Sequence, residues 1–448
     1  MATSALSRPR SQPRKRDLTP MSLDVARIKK DFPLLSRTVR DGKDLVYLDS
    51  GATSQKPYQV LDAERTFYET SYAAVHRGAH ALAEEATIHY EDARSAIAGF
   101  IGAAPSNIVF TKNATEALNL CSYAFSNATA LSRQGVVSRS IDPRFILEPG
   151  DSIVISEMEH HANLVPWQEL CAKTGATLRW FSVDDEGRLD LSNMDALIDS
   201  TTKVVSIVHQ SNILGTVNPV RTIMDRAREV GAVGIVDGCQ SVPHMPVDVA
   251  DIGADLLMWS GHKMLGPTGI GCLYGTSEIL DAMPPFLTGG SMIEMVSMET
   301  STFAPAPQKF EAGTPMVAQA VGLAAGVRYL EEIGMDEVAE HEAALTAHSL
   351  SVLTAIPGVR IIGPSTTFER GSTISFVVDG LHPHDVGQVL DNLGIAVRVG
   401  HHCAWPICRR FGVPATTRIS PYIYNDESDI DRAAAGVVAA QKFFGVTP

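Results

Sequence analysis

The chain contains the stretch Leu-Leu-Met-Trp-Ser-Gly-His-Lys at residues 256–263, in which an apolar run of strand character ends in a polar turn with a lysine. An earlier run of the same character, residues 233–236, ends in Asp237. Similar runs occur at 152–155 and 203–208, and stretches of helical character lie between them. Strands that alternate with helices predict an α/β fold built on a mostly parallel sheet.

Ligands bind such sheets at the carboxyl ends of the strands, and four polar residues follow those ends: His160, Asn212, Asp237 and Lys263. A lysine that forms a Schiff base with an aldehyde cofactor works with a carboxylate that keeps the pyridine nitrogen protonated. Lys263 and Asp237 are spaced for these two roles. The sequence therefore predicts a site for pyridoxal 5′-phosphate (PLP). Taken singly, Asp237 as a helix N-cap and His160 as a polar loop residue remain the ordinary alternatives.

A phosphate group needs its own donors, and a strand-like run at 108–111 leads into a helix that begins near Ala114 and Thr115. Free backbone N–H groups at a helix N-terminus, together with the Thr115 hydroxyl, can bind a dianion. Ser260 and His262, which flank the lysine turn, are further candidate phosphate donors. Thr115 as an ordinary N-cap of this helix is the alternative.

Composition limits the class of protein. The 448 residues are 45% hydrophobic and 20% charged, which suits two domains with a substantial core. The excess of 51 acidic over 37 basic residues argues against a general affinity for nucleic acid or an anionic membrane. No apolar run is long enough to cross a bilayer. Six cysteines without CxxC spacing indicate a reduced, cytoplasmic protein.

The predicted organisation has three parts. Residues 1–21 form a disordered basic tail, with five basic residues against Asp17. Residues 46–318 form a large PLP-binding domain, and residues 22–45 with 319–448 form a small α/β domain. The tail is interpreted as an extension without a role in the fold. An organelle transit peptide remains the alternative for it.

Cys403 is the candidate nucleophile. It follows Gly400, His401 and His402 and lies near Arg398, a setting that favours the thiolate form. Zinc binding by the two histidines and the cysteine is the alternative. Adjacent ligands without a second cluster make a poor structural zinc site, so the nucleophile is favoured and no metal is predicted.

Three motifs together indicate a family: Ser-Gly-His-Lys at 260–263, Met-Glu-His-His-Ala-Asn at 158–163 and Arg-Val-Gly-His-His-Cys-Ala at 398–404. Their order and spacing resemble the SufS-type, group II cysteine desulfurases of the class V aminotransferase family. The resemblance extends from about Asp49 to Asn425. It implies the PLP-dependent transferase fold type I, with a mostly parallel large domain and a smaller α/β domain that carries the catalytic cysteine.

The resemblance also implies roles for individual residues. Lys263 corresponds to the Schiff-base lysine, Cys403 to the persulfide carrier and His160 to the imidazole stacked on the cofactor. The remaining cofactor contacts that it implies are Asp237, Gln240, Thr115, Ser260, His262 and, from a neighbouring subunit, Thr314. The substrate-binding residues expected are Asn212, Arg418 and Arg398. A surface ion pair is the alternative for Arg418.

The implied activity converts L-cysteine to L-alanine and moves the sulfur through a persulfide on Cys403 to an acceptor protein for iron–sulfur cluster assembly. The implied assembly is a homodimer. The run His382-Pro383-His384-Asp385 favours a SufU-like, zinc-containing acceptor with His384 in docking, while a SufE-like acceptor stays possible in principle. Solvent-facing histidines at the start of a helix are the alternative for this run.

Rival functions remain for the same scaffold. A selenocysteine lyase or another β-lyase would keep Lys263 and Asp237 without needing Cys403, and a true aminotransferase would need a site for a second amino acceptor. A non-enzymatic sulfur scaffold would be expected to lack the lysine or the cysteine. Two departures from the family pattern are a polar, loop-like insertion at 126–150 and the pair Trp405 and Cys408 just beyond the nucleophile. Cys408 is interpreted as a buried structural thiol, with persulfide capture as its alternative.

Overall fold

The computed structural model describes residues 23–135 and 141–446. The predicted tail at 1–21 lies outside the described residues. The helices are α1 Val25–Lys30, α2 Tyr58–Thr70, α3 Ala81–Phe100, α4 Ala114–Arg133, α5 Val165–Thr174, α6 Met194–Leu197, α7 Val220–Glu229, α8 Val249–Ile252, α9 Ser277–Ala282, α10 Val317–Ile333, α11 Met335–Thr354, α12 Pro383–Asn392, α13 Trp405–Arg410 and α14 Glu427–Phe443. The strands are β1 Thr38–Val39, β2 Lys43–Asp44, β3 Val46–Tyr47, β4 Ile108–Thr111, β5 Ser152–Ser156, β6 Thr177–Phe181, β7 Thr202–Val208, β8 Val233–Asp237, β9 Leu256–Ser260, β10 Gly271–Gly275, β11 Ile293–Val296, β12 Ser301–Phe303, β13 Val359–Ile362, β14 Ile374–Val378, β15 Ile395–Ala396, β16 Arg398–Gly400 and β17 Thr416–Ile419.

A seven-stranded sheet with the order β4-β10-β9-β8-β7-β5-β6 forms the centre of the large unit. Strand β10 runs antiparallel to both of its neighbours, and the other neighbouring strands are parallel. All residues of β5, β8 and β9 are buried, as expected for strands covered by helices on both faces. The prediction of a mostly parallel α/β sheet is confirmed.

Alternate residues of each central strand face two different cores. In β9, Leu257 and Trp259 pack in a core that also contains residues of α3, α7 and α10. Leu256 and Met258 pack in a second core with residues of α4 and α5. The large unit therefore has three layers, with helices on each side of the sheet.

A second, smaller sheet lies in the C-terminal part of the chain. Its four antiparallel strands have the order β13-β14-β17-β16, and its core includes residues of α11, α12 and α14. The N-terminal strand β3 pairs in parallel with β15, and its Val46 packs in the same core. The smaller α/β unit is thus present, while the boundaries at residues 46 and 318 stay a prediction.

The predicted loop-like insertion at 126–150 is wrong in its first part, because α4 continues as a helix to Arg133. The helix is held there by burial: Phe125 packs against Phe145 with ring centroids 4.9 Å apart. The polar composition of this segment concealed its apolar contacts. Residues 136–140 lie outside the described part of the chain.

Candidate active site

A cavity of about 270 Å³ lies at the edge where the parallel strands end. The strand register brings those ends together, since Val208 pairs with Asp237 and Asp237 with Met258 across three neighbouring strands. Of the residues predicted for the site, these line the cavity: Ala114, Thr115, His160, Asn212, Asp237, Gln240, Ser260, His262, Lys263, Arg398, Cys403 and Arg418. Two predicted residues, Thr314 and His384, do not line it.

Lys263 is presented to the cavity by a tight turn that follows β9. The carbonyl oxygen of His262 accepts hydrogen bonds from the Ser54 backbone N–H at 3.0 Å, from Thr53 Oγ1 at 3.0 Å and from Lys56 Nζ at 2.9 Å. Several donors on one carbonyl fix the peptide that precedes Lys263. The lysine side chain therefore enters the cavity from a rigid support.

Asp237 is the last residue of β8 and is 3% exposed. Its Oδ1 accepts a hydrogen bond from the backbone N–H of Cys239 at 2.9 Å, which fixes the orientation of the carboxylate. Gln240, one turn further on, donates from Nε2 to the Gly51 carbonyl at 2.7 Å, and its Oε1 has no partner among the described residues. A buried acid and an unsatisfied amide oxygen both need a polar ligand.

The N-terminus of α4 forms the opposite end of the cavity. Asn113 is the N-cap, with Oδ1 accepting from the Glu116 backbone N–H at 2.9 Å, so the alternative that Thr115 caps this helix is wrong. The Ala114 backbone N–H donates to Ser260 Oγ at 2.9 Å, which joins the helix start to the lysine turn. Thr115 is exposed and lines the cavity, free to serve an anion at a helix N-terminus.

Two imidazoles in the cavity are kept neutral by their surroundings. Burial, with the charge of Lys263 as the next cause, lowers the pKa of His160 to about 3. The same two causes, with Lys56, lower the pKa of His262 to about 4. His160 Nδ1 accepts from the Ala162 backbone N–H at 3.1 Å, and His262 Nδ1 lies 3.1 Å from Thr53 Oγ1.

Arg418 lies on the other wall, where it is 2% exposed, so the alternative of a surface ion pair is wrong. Its Nη1 donates to the Asn212 carbonyl at 2.9 Å, and Asn212 Nδ2 donates to the His402 carbonyl at 2.6 Å. Arg418 Nε and Asn212 Oδ1 are buried without partners among the described residues. Burial lowers the pKa of Arg418, while Asp49 raises it.

Asp49 is a residue that sequence reasoning missed. It accepts from Arg418 Nη2 at 3.2 Å through Oδ1 and lies 2.9 Å from Arg398 Nη2 through Oδ2. The positive setting expected from Arg398 is therefore partly neutralised by this carboxylate. A short strand followed by Asp49, Ser50 and Gly51 is the signal that could have indicated a third loop at the cavity.

Cys403 is exposed and lies on the turn between β16 and α13. Its backbone φ is 55°, and that of His402 is 51°, a left-handed conformation that non-glycine residues rarely adopt. His402 is buried, with Nε2 2.7 Å from Thr416 Oγ1 and a pKa lowered to about 2, mainly by burial. His402 thus anchors the turn, and exposed Cys403 lines the cavity.

Three further residues named from the sequence, Thr314, His384 and Cys408, lie outside the cavity. Thr314 is exposed, three residues after Glu311, which pairs with buried Arg94 at 2.7 Å. His382 Nδ1 accepts from the His384 backbone N–H at 3.3 Å at the start of α12, and both histidines are exposed. Cys408 is buried, and burial raises its pKa to about 11.

Among residues 23–135 and 141–446, no helix is both long enough and apolar enough to span a bilayer.

The arrangement fits pyridoxal 5′-phosphate. A helix N-terminus with Ser260 and His262 suits its phosphate, buried Asp237 suits its pyridine nitrogen, and Lys263 suits its aldehyde. The unpartnered Gln240 Oε1 adds a polar group for the cofactor ring. A fold of this type with this site defines a PLP-dependent enzyme.

Comparison with known proteins places the chain more narrowly. Residues 46–433 match the family model described as aminotransferase class-V. The chain is 57% identical to probable cysteine desulfurase 2 of Mycobacterium leprae, over 96% of this chain and 99% of that protein. It is 47% identical to the cysteine desulfurase of Haloferax volcanii, over 94% and 98%.

Solved structures agree with this placement. The apo cysteine desulfurase of Thermococcus onnurineus has a TM-score of 0.85 at 38% identity, covering 95% of this chain and 99% of that chain. The cysteine desulfurase CsdA of Escherichia coli has a TM-score of 0.82 at 34% identity, covering 94% and 99%. The chain belongs to the class V aminotransferase family, in its cysteine desulfurase branch, and its cofactor is pyridoxal 5′-phosphate.

Proposed function

We propose that this enzyme converts L-cysteine to L-alanine, takes the sulfur as a persulfide on Cys403 and passes it to an acceptor protein for iron–sulfur cluster assembly. The observation that carries the proposal is the position of Cys403. An exposed thiol lies at the mouth of a cavity whose walls also carry Lys263, buried Asp237 and buried Arg418.

In this proposal, Ala114, Thr115, Ser260 and His262 bind the cofactor phosphate, and Asp237 binds its ring nitrogen. Gln240 and His160 contact the ring from its edge and its face. When bound, PLP supplies an electron sink that stabilises the negative charge left when a proton leaves the substrate α-carbon. The low pKa of His160 supports a neutral ring that can stack on the cofactor without adding a positive charge.

The substrate carboxylate binds at Arg418 and Asn212, with Arg398 at the rim. Support comes from Arg418 Nε, a buried N–H donor without a partner among the described residues, and from Asn212, whose backbone carbonyl oxygen accepts from Arg418 Nη1 at 2.9 Å and so holds the guanidinium in the wall. A planar guanidinium makes two charge-assisted hydrogen bonds to a carboxylate, which fixes both position and orientation. The carboxylate so held directs the cysteine side chain toward Cys403.

Lys263 Nζ removes the α-proton of the substrate, and the rigid turn below it supports this role. The Cys403 thiolate then attacks the substrate sulfur. The new S–S bond forms on Cys403 as the substrate C–S bond breaks, and the electron pair of that bond stays with carbon. Protonation of this carbon, and the return of a proton from Lys263 Nζ to the α-carbon, give L-alanine.

The acceptor in the proposal is a SufU-like protein, with a SufE-like protein as the second candidate. His384 is exposed at the start of α12, and its ring stacks on that of His382 with centroids 5.4 Å apart. The exposed imidazole of His384 supports docking to a zinc-containing partner, because neutral imidazole is a common zinc ligand.

The proposal also includes a homodimer in the cytoplasm. Thr314 is exposed and outside the cavity of its own subunit, which supports a role for its hydroxyl at the phosphate of a second copy. Six free cysteines support a reducing compartment.

The test is product analysis with purified, cofactor-loaded protein, L-cysteine and a reductant. Alanine and sulfide are quantified for the wild type, Cys403→Ala and Lys263→Ala. The proposal requires both products from the wild type, neither from Lys263→Ala, and retained cofactor with lost turnover in Cys403→Ala. Full turnover in Cys403→Ala would instead identify a lyase that eliminates sulfur without a protein persulfide.

A further inference from the structure

The tandem histidines at 160 and 161 face in different directions. The His160 ring lines the cofactor cavity, whereas His161 contacts the turn that carries Cys403. The His161 backbone N–H donates to the Cys403 carbonyl at 2.7 Å. The His161 ring accepts at Nε2 from the Trp405 backbone N–H at 3.2 Å. His161 thus makes two hydrogen bonds to the turn, one to the Cys403 carbonyl and one to the Trp405 N–H two residues later.

The turn needs such support because its backbone is strained. His402 and Cys403 both have left-handed φ values, 51° and 55°, which cost free energy in residues with a Cβ. Helix α13 begins directly after the turn, and its N-cap residue, Ala404, has no side-chain acceptor. The first N–H groups of a helix have no partner within the helix, so an outside acceptor is needed. The His161 ring supplies it for Trp405.

We propose that His161 is a positioning residue that fixes the Cys403 turn. Its ring Nε2 accepts the Trp405 backbone N–H, and its backbone N–H donates to the Cys403 carbonyl. This inference rests on the proposed role of Cys403 as sulfur carrier. His161 touches neither the reacting thiol nor the cofactor in this role. It lowers the number of orientations open to the thiol, and a misplaced reacting atom lowers the rate of the step that it performs.

The Trp405 side chain separates this role from general packing. Its ring stacks on His401 with centroids 4.6 Å apart, and it lies within 5.5 Å of the Arg409 guanidinium. Trp405→Ala removes these contacts but keeps the backbone donor that His161 accepts. It is therefore a matched control in which the hydrogen bond remains.

The test compares His161→Leu, which removes the acceptor, with His161→Gln, whose amide oxygen can replace Nε2. For His161→Leu we expect kcat with L-cysteine to be about fivefold lower. The alkylation rate of Cys403 should change in the same variant, because both rates depend on the position of the thiol. The KM should stay unchanged because Arg418 and Asn212 are untouched, and the absorbance of the bound cofactor should stay the same. His161→Gln and Trp405→Ala should retain most of the wild-type kcat.

The inference is overturned if His161→Leu keeps the wild-type kcat, or if His161→Gln loses as much as His161→Leu, since the latter would indicate packing. His161→Asn, whose shorter amide does not reach the Trp405 N–H, replaces His161→Leu if that variant fails to bind cofactor. Cys403→Ala in the same assay keeps the two claims apart. Turnover retained in Cys403→Ala contradicts the proposed function, whereas turnover lost there and unaffected in His161→Leu contradicts only this inference.

Discussion

Arg418 donates from Nη2 to Asp49 Oδ1 at 3.2 Å, which holds a buried arginine in the wall of the cavity. The side chains are 3% and 13% exposed, so water screens the pair poorly. Arg398 lies 2.9 Å from the second oxygen of the same carboxylate. The Asp49 carboxylate therefore pairs with both arginines, whose remaining N–H groups are the ones that we propose to bind the substrate carboxylate.

Removing that acid should destabilise the enzyme. Asp49→Asn leaves the buried Arg418 charge without its counter-charge, and we expect a loss of about 2–4 kcal/mol in the free energy of unfolding. Denaturant unfolding of the cofactor-loaded protein measures it. Glu69→Gln is the control, because its ion pair with Arg65 at 2.8 Å is exposed and should contribute less than about 1 kcal/mol. Equal losses in the two variants would contradict the account.

Lowering the pH should reduce the free energy of unfolding through the buried imidazole of His209. Burial lowers the pKa of His209 from its ordinary 6.5 to about 4. The unfolded chain binds this proton below pH 6.5 and the folded chain only below about 4, so the stability contribution is full above 6.5 and is lost as pH falls toward 4. The slope from this group is at most about 1.4 kcal/mol per pH unit.

His209→Gln should make the free energy of unfolding less dependent on pH in that window. Urea unfolding of both proteins at several pH values between 4 and 6.5 measures the slopes. His348→Gln is the control, because His348 is partly exposed beside Asp431. An unchanged slope in His209→Gln would mean that this imidazole is protonated in the folded protein.

The parts of the site that the sequence pattern predicts are those that lie directly at or after the carboxyl ends of the parallel strands. Asp237 and Lys263 follow apolar runs, so their convergence follows from the parallel sheet. Asp49 could not be found in this way, because the pairing of β3 with β15 brings it to the cavity from a distant part of the chain. The direction of the His161 ring likewise depends on a turn more than two hundred residues away.

Where the sequence allowed two roles for a residue, tertiary contacts that the sequence does not specify decided between them. Thr115 and Asn113 are both good N-cap residues, and only the geometry assigns the cap to Asn113. Whether the Arg418 side chain is exposed or buried depends on which face of β17 meets the large unit. The helical start of the 126–150 segment depends on Phe145 returning to pack on α4.

Docking of the acceptor should depend on His384. His384→Ala is expected to lose most of the stimulation of turnover by a purified SufU-like acceptor, while turnover without acceptor stays at the wild-type level. His382→Asn is the matched control, because asparagine can keep the N-cap of α12. Steady-state rates with and without acceptor measure both variants. Full stimulation of His384→Ala would remove this residue from the docking surface.

The cofactor phosphate should depend on Thr314 of the partner subunit. Thr314→Val removes a hydroxyl that would bind a charged oxygen, and we expect about tenfold weaker cofactor binding. Equilibrium titration of apoenzyme with PLP measures it, with exposed Thr302→Val as the control. The same affinity in wild type and Thr314→Val would argue against a shared phosphate site.

The most direct test of the central claim is the location of sulfur after one turnover. Cofactor-loaded enzyme is mixed with L-cysteine without reductant, and its peptides are examined by mass spectrometry. We expect one additional sulfur atom on the peptide thiol of Cys403, none on buried Cys408, and alanine in matching amount. Alanine formed without added sulfur on Cys403 would contradict it.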